Sequence, residues 1–517
     1  MRRVVVAVTA LFVALGGAVV VGYLLLFSAL ADRAARAAPA DTALYVNAYL
    51  QPSAGQQINL FGLIGRIKGF GDAATLESKI DEVAGRLLGQ IGIDYTADVR
   101  PWLGAQIALA VAPGAGGSPP SVLVLAAVKD TASARTALPS LFGSTDISFT
   151  QETLRGRELM TSDTMSYAMF DDLLVVANTP ERLRAAVEAD ADVAPSLADS
   201  TTFTAAMRTV ASDHVASVYV DLPRAARLPD GQQLGGFGTA ALALTADADG
   251  LHLDGTAPFR AGDASNEARA AFALGTQSST LAGWMPRTTG AEIVLFGAAQ
   301  SFEDLEASLA GNSAFAPALD ALNQLRAIAA LGLGINFNRD LLPLFDGEGA
   351  VALQSLDADG FHGQVFLRPS DAAAAQESLD RVRSGLADRG SRVTTRRLAG
   401  TTLTSVAVPQ IGTVAYALQD GVVILGLDAA DVAAGLEAHA ASETLASDDR
   451  YKEPFELTGA HAGNELWADI PTLVDGLAGI FDPGSELRDI LHQIGELAII
   501  ATATDDRLEI NGLLTVR

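Results

Sequence analysis

The stretch GIDYTADVRPWLGAQIALAV, Gly92 to Val111, returns 242 positions later as GINFNRDLLPLFDGEGAVAL, Gly334 to Leu353. Gly92, Ile93, Asp98, Pro101, Ala108 and Ala110 are matched identically by Gly334, Ile335, Asp340, Pro343, Ala350 and Ala352. Tyr95 meets Phe337, and Asp94 meets Asn336. A chain that repeats a stretch this long is expected to fold the same way twice. Each copy reads as a helix exit at the glycine, a turn, and a strand that begins after the proline.

Further blocks follow in the same order in both halves. PADTALYVNAYL from Pro39 answers to PRTTGAEIVLFG from Pro286, each a proline, small polar residues and a strand. Leu76, Ile80, Val83, Leu87 and Ile91 fall at the spacing of one buried helix face, and Leu319, Leu322, Leu325 and Ile328 are a rougher version of it. SVLVLAAVKD pairs with GQVFLRPSD, a strand running into a helix. MSYAMFDDLLVVANTPERLRAAVEA parallels TVAYALQDGVVILGLDAADVAAGLEA, a hairpin and then a helix capped by Thr179 or Asp428. SVYVDLPRAARL and ELWADIPTLVDGL align at Asp221/Asp469 and Pro223/Pro471, and the halves close on LHLDGTAPF and LEINGLLTV. The expected architecture is α+β: two tandem duplicated modules, 41–282 and 283–517, with mostly antiparallel sheets and helices on one face. A face shared by the halves is the expected place for a ligand or partner.

Length agrees, because 517 residues exceed what one ordinary core holds. With 35 basic against 61 acidic residues the net charge is −26. That balance excludes a nucleic-acid binder, which needs a basic footprint on phosphates, and opposes adhesion to anionic headgroups. The chain has no cysteine, so disulfides, thiolate metal sites and a cysteine nucleophile are excluded.

Ahead of the repeats, VVVAVTALFVALGGAVVVGYLLLF runs from Val4 to Phe27 without a charge. As a helix it would be about 36 Å long, enough to cross a hydrocarbon core of about 30 Å. It exceeds the roughly 7–15 apolar residues of a cleaved signal peptide. Residues 1–30 are therefore expected to be a short cytoplasmic stub and a transmembrane signal anchor, with 31–40 (ADRAARAAPA) a linker. The expected location is the bacterial cytoplasmic membrane, single-pass, with the C-terminal body extracytoplasmic and the bilayer itself as one partner.

The search for chemistry assigns no catalytic, cofactor-binding or metal residue. The six histidines, His214, His252, His362, His439, His461 and His492, fall in no metal-ligand spacing. ADADG (Ala246 to Gly250) and DADG (Asp357 to Gly360) look like calcium loops. With glycine as position 6, however, positions 1 and 12 hold Thr245 and Thr256, or Ser355 and Phe366, so both read as hairpin turns. No GxSxG elbow, SxxK pair or phosphate loop is present. Asp98/Asp340 and Asp221/Asp469 read as turn or capping residues, and Trp102 as core.

The order of blocks resembles a family of uncharacterised bacterial proteins, domain of unknown function thirty-three fifty-two. The residues that carry the resemblance are the apolar N-terminus, PADTALYVNAYL, VRPWLG from Val99, and VLVLAAVKDTASARTAL. The second half departs from these, with PLFDGE for PWLGAQ and PRTTGA for PADTAL. The resemblance implies a bacterial envelope protein and carries over no active site. The expected function is a non-enzymatic, membrane-anchored extracytoplasmic scaffold or partner-binding module, with an envelope protein as its partner. One alternative is a binder or carrier of an apolar ligand such as lipid, suggested by the abundant small apolar residues. A second is an enzyme with no recognisable motif.

Overall fold

The computed structural model describes residues 32–67, 81, 85, 93–114, 118–143, 147–228, 236–260, 262, 276–297, 299, 326, 335–357, 360–408, 412–460, 462–476, 485–504 and 506–517. The chain divides into two compact units, residues 1–260 and 261–517.

In the first unit the strands are β1 (Leu44–Tyr49), β2 (Leu103–Ala112), β3 (Ser121–Val128), β4 (Thr150–Leu154), β5 (Arg157–Thr161), β6 (Ser166–Met169), β7 (Leu173–Ala177), β8 (Ala216–Asp221), β9 (Thr239–Ala246) and β10 (Gly250–Pro258). They pair antiparallel in the order β4-β5-β6-β7-β3-β2-β1-β8-β9-β10. In the second unit they are β11 (Ala291–Phe296), β12 (Glu348–Asp357), β13 (Gly360–Arg368), β14 (Val393–Leu398), β15 (Thr401–Val408), β16 (Gly412–Gln419), β17 (Val422–Gly426), β18 (Asn464–Asp469), β19 (Ile494–Ala503) and β20 (Arg507–Val516). Their order is β14-β15-β16-β17-β13-β12-β11-β18-β19-β20, again antiparallel at every pairing. Each strand of the second unit holds the place of the strand ten numbers before it.

The strands form where the sequence alternates or runs apolar, and local turns join them. At the β16–β17 hairpin, Asp420 and Gly421 both take positive φ, as an Asp-Gly hairpin turn requires. Thr179 and Asp428 then cap the helices Pro180–Asp190 and Ala429–Ala441 through their side chains. The block that is written twice makes a single π-helical turn, Tyr95–Val99 and Phe337–Leu341, whose first free N–H groups are taken by Asp94 and Asn336. Gly92 and Gly334 lie outside the described residues, as do the two helix faces read at Leu76–Ile91 and Leu319–Ile328.

Helices cover both faces of each sheet, not one. On β3, Leu123 and Leu125 enter a core with Tyr45, Tyr219 and Phe203, while Val124 and Ala126 enter another with Trp102 and Tyr95. On β17, Val422 and Ile424 pack with Trp467 and Phe366, whereas Val423 packs with Leu379 of the helix Ala372–Asp388. Unbroken apolar runs such as LLVVA, every residue of β7 buried, are what two-sided burial demands.

Three expectations are corrected. The N-terminal transmembrane helix has no support: among the described residues no helix is long and apolar enough to cross a membrane. The longest of the helices with stated ends, Ala372–Asp388, has 17 residues and an amphipathic pattern, short of the roughly 20 apolar residues a span needs. The proposed span, Val4 to Phe27, lies outside the described residues, and the single-pass, signal-anchored description falls with it. Secondly, the described part of the expected 31–40 linker, residues 32–40, is packed against the first unit. Asp32 caps the helix Arg33–Ala37, Ala34, Ala35, Ala37 and Ala38 are buried in the first core, and Pro39 bridges to Ser196. Alanines this small pack against a sheet without needing a large apolar stripe. Thirdly, the division falls after residue 260, not 282. The segment Leu281–Met285 belongs to the second core, where it holds the place the Arg33–Ala37 helix holds in the first.

Candidate functional site

Matching positions in the two units carry different chemistry, and two clusters of ionisable groups in the second unit have no like cluster at the matching places of the first. Strand pairing fixes the correspondence. Leu123 and Gln364 stand opposite the last residues of β7 and β17, Ala177 and Gly426. Two residues earlier on β3 and β13 are Ser121 and His362. The helix caps that follow are Thr179 and Asp428, and three residues into those helices stand Arg182 and Asp431.

In the first unit an arginine fills this corner. The buried Arg182 guanidinium donates to Asp41 Oδ1 at 2.5 Å and to Thr42 Oγ1 at 3.0 Å. In the second unit the same corner gathers an imidazole and two carboxylates. One ligand-capable atom from each of His362, Asp428 and Asp431 lies within 4.8 Å of the others. Asp428 spends Oδ1 on the N–H groups of Ala430 and Asp431, at 2.7 and 2.8 Å. Asp431 is 6% exposed, and its Oδ2 is buried without a hydrogen-bond partner. Burial pushes the Asp431 carboxyl pKa up, the Asp428 charge adds to the rise, and the His362 charge opposes it. Gln364 Nε2 donates to the Asp431 carbonyl at 3.0 Å and ties the helix start to β13. An imidazole with two carboxylates is a donor set for a divalent first-row cation.

A second group lies in the inner core of the same unit. Glu292 on β11, Glu348 on β12 and Glu465 on β18 are all buried, at the places held in the first unit by Tyr45, Gln106 and Ser217. Tyr451 donates to Glu465 Oε2 at 3.0 Å. A hydroxyl has one proton to give, and both Glu292 oxygens are left without a donor. Burial pushes Glu292 up to about 8, with the Glu465 charge second. Burial likewise pushes Glu465 up to about 7, partly offset by the Tyr451 hydrogen bond. Glu292 thus holds its proton at neutral pH, and Glu465 shares in the titration just below it. Their chemistry is that of a pH-sensitive core.

The residues singled out in the sequence take structural places. Asp98 and Asp340 close their own π turns by accepting from the N–H of Asp94 and Asn336. Asp340 is further held by Arg339 and Arg381, which lower its pKa to about 2. Asp221 caps the turn at Leu222–Ala225, and Asp469 accepts from Thr472 N and binds Arg450. Trp102 is buried and donates Nε1 to the Asp98 carbonyl. Asp247 closes the ADADG hairpin by accepting from Asp249 N and Gly250 N; residues 358 and 359 of DADG lie outside the described residues. His214 contacts the Ala211 carbonyl, His252 contacts Asp247, His492 contacts Asp475, and His439 stacks on Trp284 at 3.5 Å. His461 lies outside the described residues. Sequence reading passed over His362 because its companions sit on a different element. The available signal was the comparison of the copies, in which Ser, Thr and Arg become His, Asp and Asp.

One surface stands apart. On the outer face of β11 and β12, Ile293, Leu295 and Val351 are 46%, 45% and 43% exposed. Ile293 and Val351 are direct cross-strand partners. Farther along this face, at β13 and β17, the sheet is covered by Leu379 and Ala375. The matching first-unit residues Val46, Ala48 and Leu109 are buried or partly buried.

Fold and sites together define a duplicated antiparallel α+β protein whose two copies carry different chemistry at matching positions. The chain belongs to the family described as "Protein of unknown function (DUF3352)", which matches residues 4–508. No curated protein matches it. Among solved structures, crystal form IV of TP0453 is 12% identical over 43% of this chain and 79% of that chain, with a TM-score of 0.24. Crystal form III is 11% identical over 48% of this chain and 88% of that one, with a TM-score of 0.25. Likenesses this distant carry no argument about activity.

Proposed function

We propose that this chain is a non-enzymatic protein of the bacterial envelope that binds a protein partner across the outer face of β11 and β12, which no described residue is shown to cover. The observation that carries the reading is the row of Ile293, Leu295 and Val351 on two central strands, each more than two-fifths exposed. Central strands of a sheet covered on both faces are normally dry, and a contiguous exposed aliphatic row marks a surface that something else covers. The acidic body, at −26, favours a partner that is neutral or basic where it meets the rim of this face.

A photo-crosslinking residue placed at Ile293 or Val351 in the full chain, in its own cells, should give a discrete protein adduct. The same residue at the exposed Glu158 of the first unit should give none. An equal pattern at all three positions, or no adduct at Ile293 and Val351, overturns the reading. Ile293→Ser and Val351→Ser should abolish the adduct formed from a neighbouring probe while changing stability by only about 0.5 kcal/mol, as surface substitutions do.

A further inference from the structure

We propose that His362, Asp428 and Asp431 form a binding site for one divalent first-row cation such as zinc, a role independent of the sheet-face reading. Three observations meet here. The three side chains bring an imidazole nitrogen and two carboxylate oxygens within 4.8 Å of one another. Asp431, which supplies one of those oxygens, is 6% exposed, and its Oδ2 is buried without a hydrogen-bond partner. A buried carboxylate oxygen with no donor is costly to hold unless a cation supplies the missing partner. Finally, the other copy of the fold places Arg182, a fixed cation, where this copy places Asp431. The first unit brings its own positive charge to this corner; the second leaves room for one from solution.

The donor set selects among ions. Calcium takes six to eight oxygens, more than two aspartates supply, and has no use for imidazole. Imidazole with carboxylates suits zinc, manganese and iron, with water filling the remaining positions. Two carboxylates outweigh the half positive charge of the helix N-terminus on which they sit. His362 and Asp428 are only partly buried, which leaves a path for the ion. Its Oδ1 caps the helix, so Oδ2 is the ligand oxygen it can offer. Gln364 and the close approach of the helix start to Gly426 fix Asp431 against the sheet, the kind of outer support that metal ligands need.

Zinc chloride titrated calorimetrically into the full chain, after removal of metals with chelator, should show one site that an equal concentration of calcium does not block. Asp431→Asn and His362→Gln should each weaken that site by at least about tenfold. Asp428→Asn retains a capping residue and should weaken zinc binding while leaving the helix intact. Asp192→Asn, at an exposed acid of the first unit, should leave it unchanged. Thermal midpoints in chelator establish that each variant is folded. In wild type and Asp192→Asn, zinc should raise the midpoint; in Asp431→Asn and His362→Gln it should not. Zinc uptake equal in wild type and in both of those folded variants would mean diffuse binding to surface carboxylates and overturn the site. Absence of a zinc isotherm in wild type, or displacement of zinc by equimolar calcium, would overturn it equally.

Discussion

Gln106 and Glu348 stand at the same place on matching strands, and each holds down the segment that leads into its unit. Gln106 Oε1 accepts from the backbone N–H of Arg33 and Ala34, at 3.1 and 3.3 Å. Glu348 Oε1 accepts from the N–H of Thr280 and Leu281, at 2.7 and 3.1 Å. The second unit adds to this, since the hydroxyls of Ser279 and Thr280 also donate to the carboxylate. A neutral amide and a charged carboxylate thus perform one structural task, and the duplication has kept the task while changing the charge.

Glu348→Gln should therefore be tolerated and Glu348→Ala should not. The amide keeps one acceptor for the two N–H groups and loses the charge assistance, a cost of about 1–2 kcal/mol. Alanine leaves the N–H groups of Thr280 and Leu281 without an acceptor and should cost about 3 kcal/mol or more. Urea unfolding of the two variants measures both. Equal losses would mean that the carboxylate does not organise this segment.

The raised carboxyls of the second core make its stability pH-dependent in a stated direction. Unfolded glutamates release their protons near pH ~4.3, whereas Glu292 and Glu465 hold theirs to about 8 and about 7. Between those limits the folded state binds more protons than the unfolded one. The stability of the unit is thus fullest below about pH 4.3, as far as these two groups govern it, and declines as pH rises through 7 to 8. Glu292→Gln stays neutral throughout and removes the share due to Glu292. Its thermal midpoint should gain on wild type steadily between about pH 5 and about pH 8.5. A difference that does not change with pH would show that Glu292 is ionised in the fold across this range.

How much of this was legible follows from how local each feature is. The hairpins at Asp171-Asp172 and Asp420-Gly421 and the caps at Thr179 and Asp428 depend on neighbours in sequence, and the spacing shows them. The two-sided sheet was written in LLVVA and SVLVLAAV, whose apolar residues do not alternate. ADRAARAAPA misleads because alanine and arginine look like linker composition, while burial of Ala34 and Ala37 depends on a strand pair far along the chain. His362 with Asp431, and Glu292 with Glu465, are set by strand order. No window of sequence contains both members.

Asp340 should act in the opposite pH direction. Arg339 donates to it at 2.7 and 2.8 Å and Arg381 at 3.1 Å, which holds its carboxyl at about 2. The folded state thus favours the ionised form, and this contribution is present above the ordinary aspartate value and lost as pH falls toward 2. Both arginines are substantially exposed and can rehydrate, so Asp340→Asn should cost only about 1–2 kcal/mol near neutral pH. The deficit should close on acidification. A loss that persists at pH ~2 would place the effect in packing of the π turn, not in charge.

Gly426 sets how closely the Ala429–Ala441 helix can start against the sheet, and the other copy offers the control. A Cβ at Gly426 would stand 2.8 Å from the Asp431 Cβ, 3.1 Å from the Asp428 carbonyl oxygen and 3.1 Å from Val432 Cγ2. All three neighbours lie in the first helical turn, so the whole turn would have to lift. Ala177 occupies the matching place in the first unit, where the helix start leaves room for a methyl group. Gly426→Ala should therefore destabilise by about 1–3 kcal/mol through overpacking. Ala177→Gly should cost about 1 kcal/mol from backbone freedom and lost packing. Denaturant unfolding distinguishes the two causes: adding one methyl group should harm the second unit, and removing one should harm the first. If Gly426→Ala is neutral, the helix start is free to shift, and the placement of Asp431 beside His362 loses its steric basis.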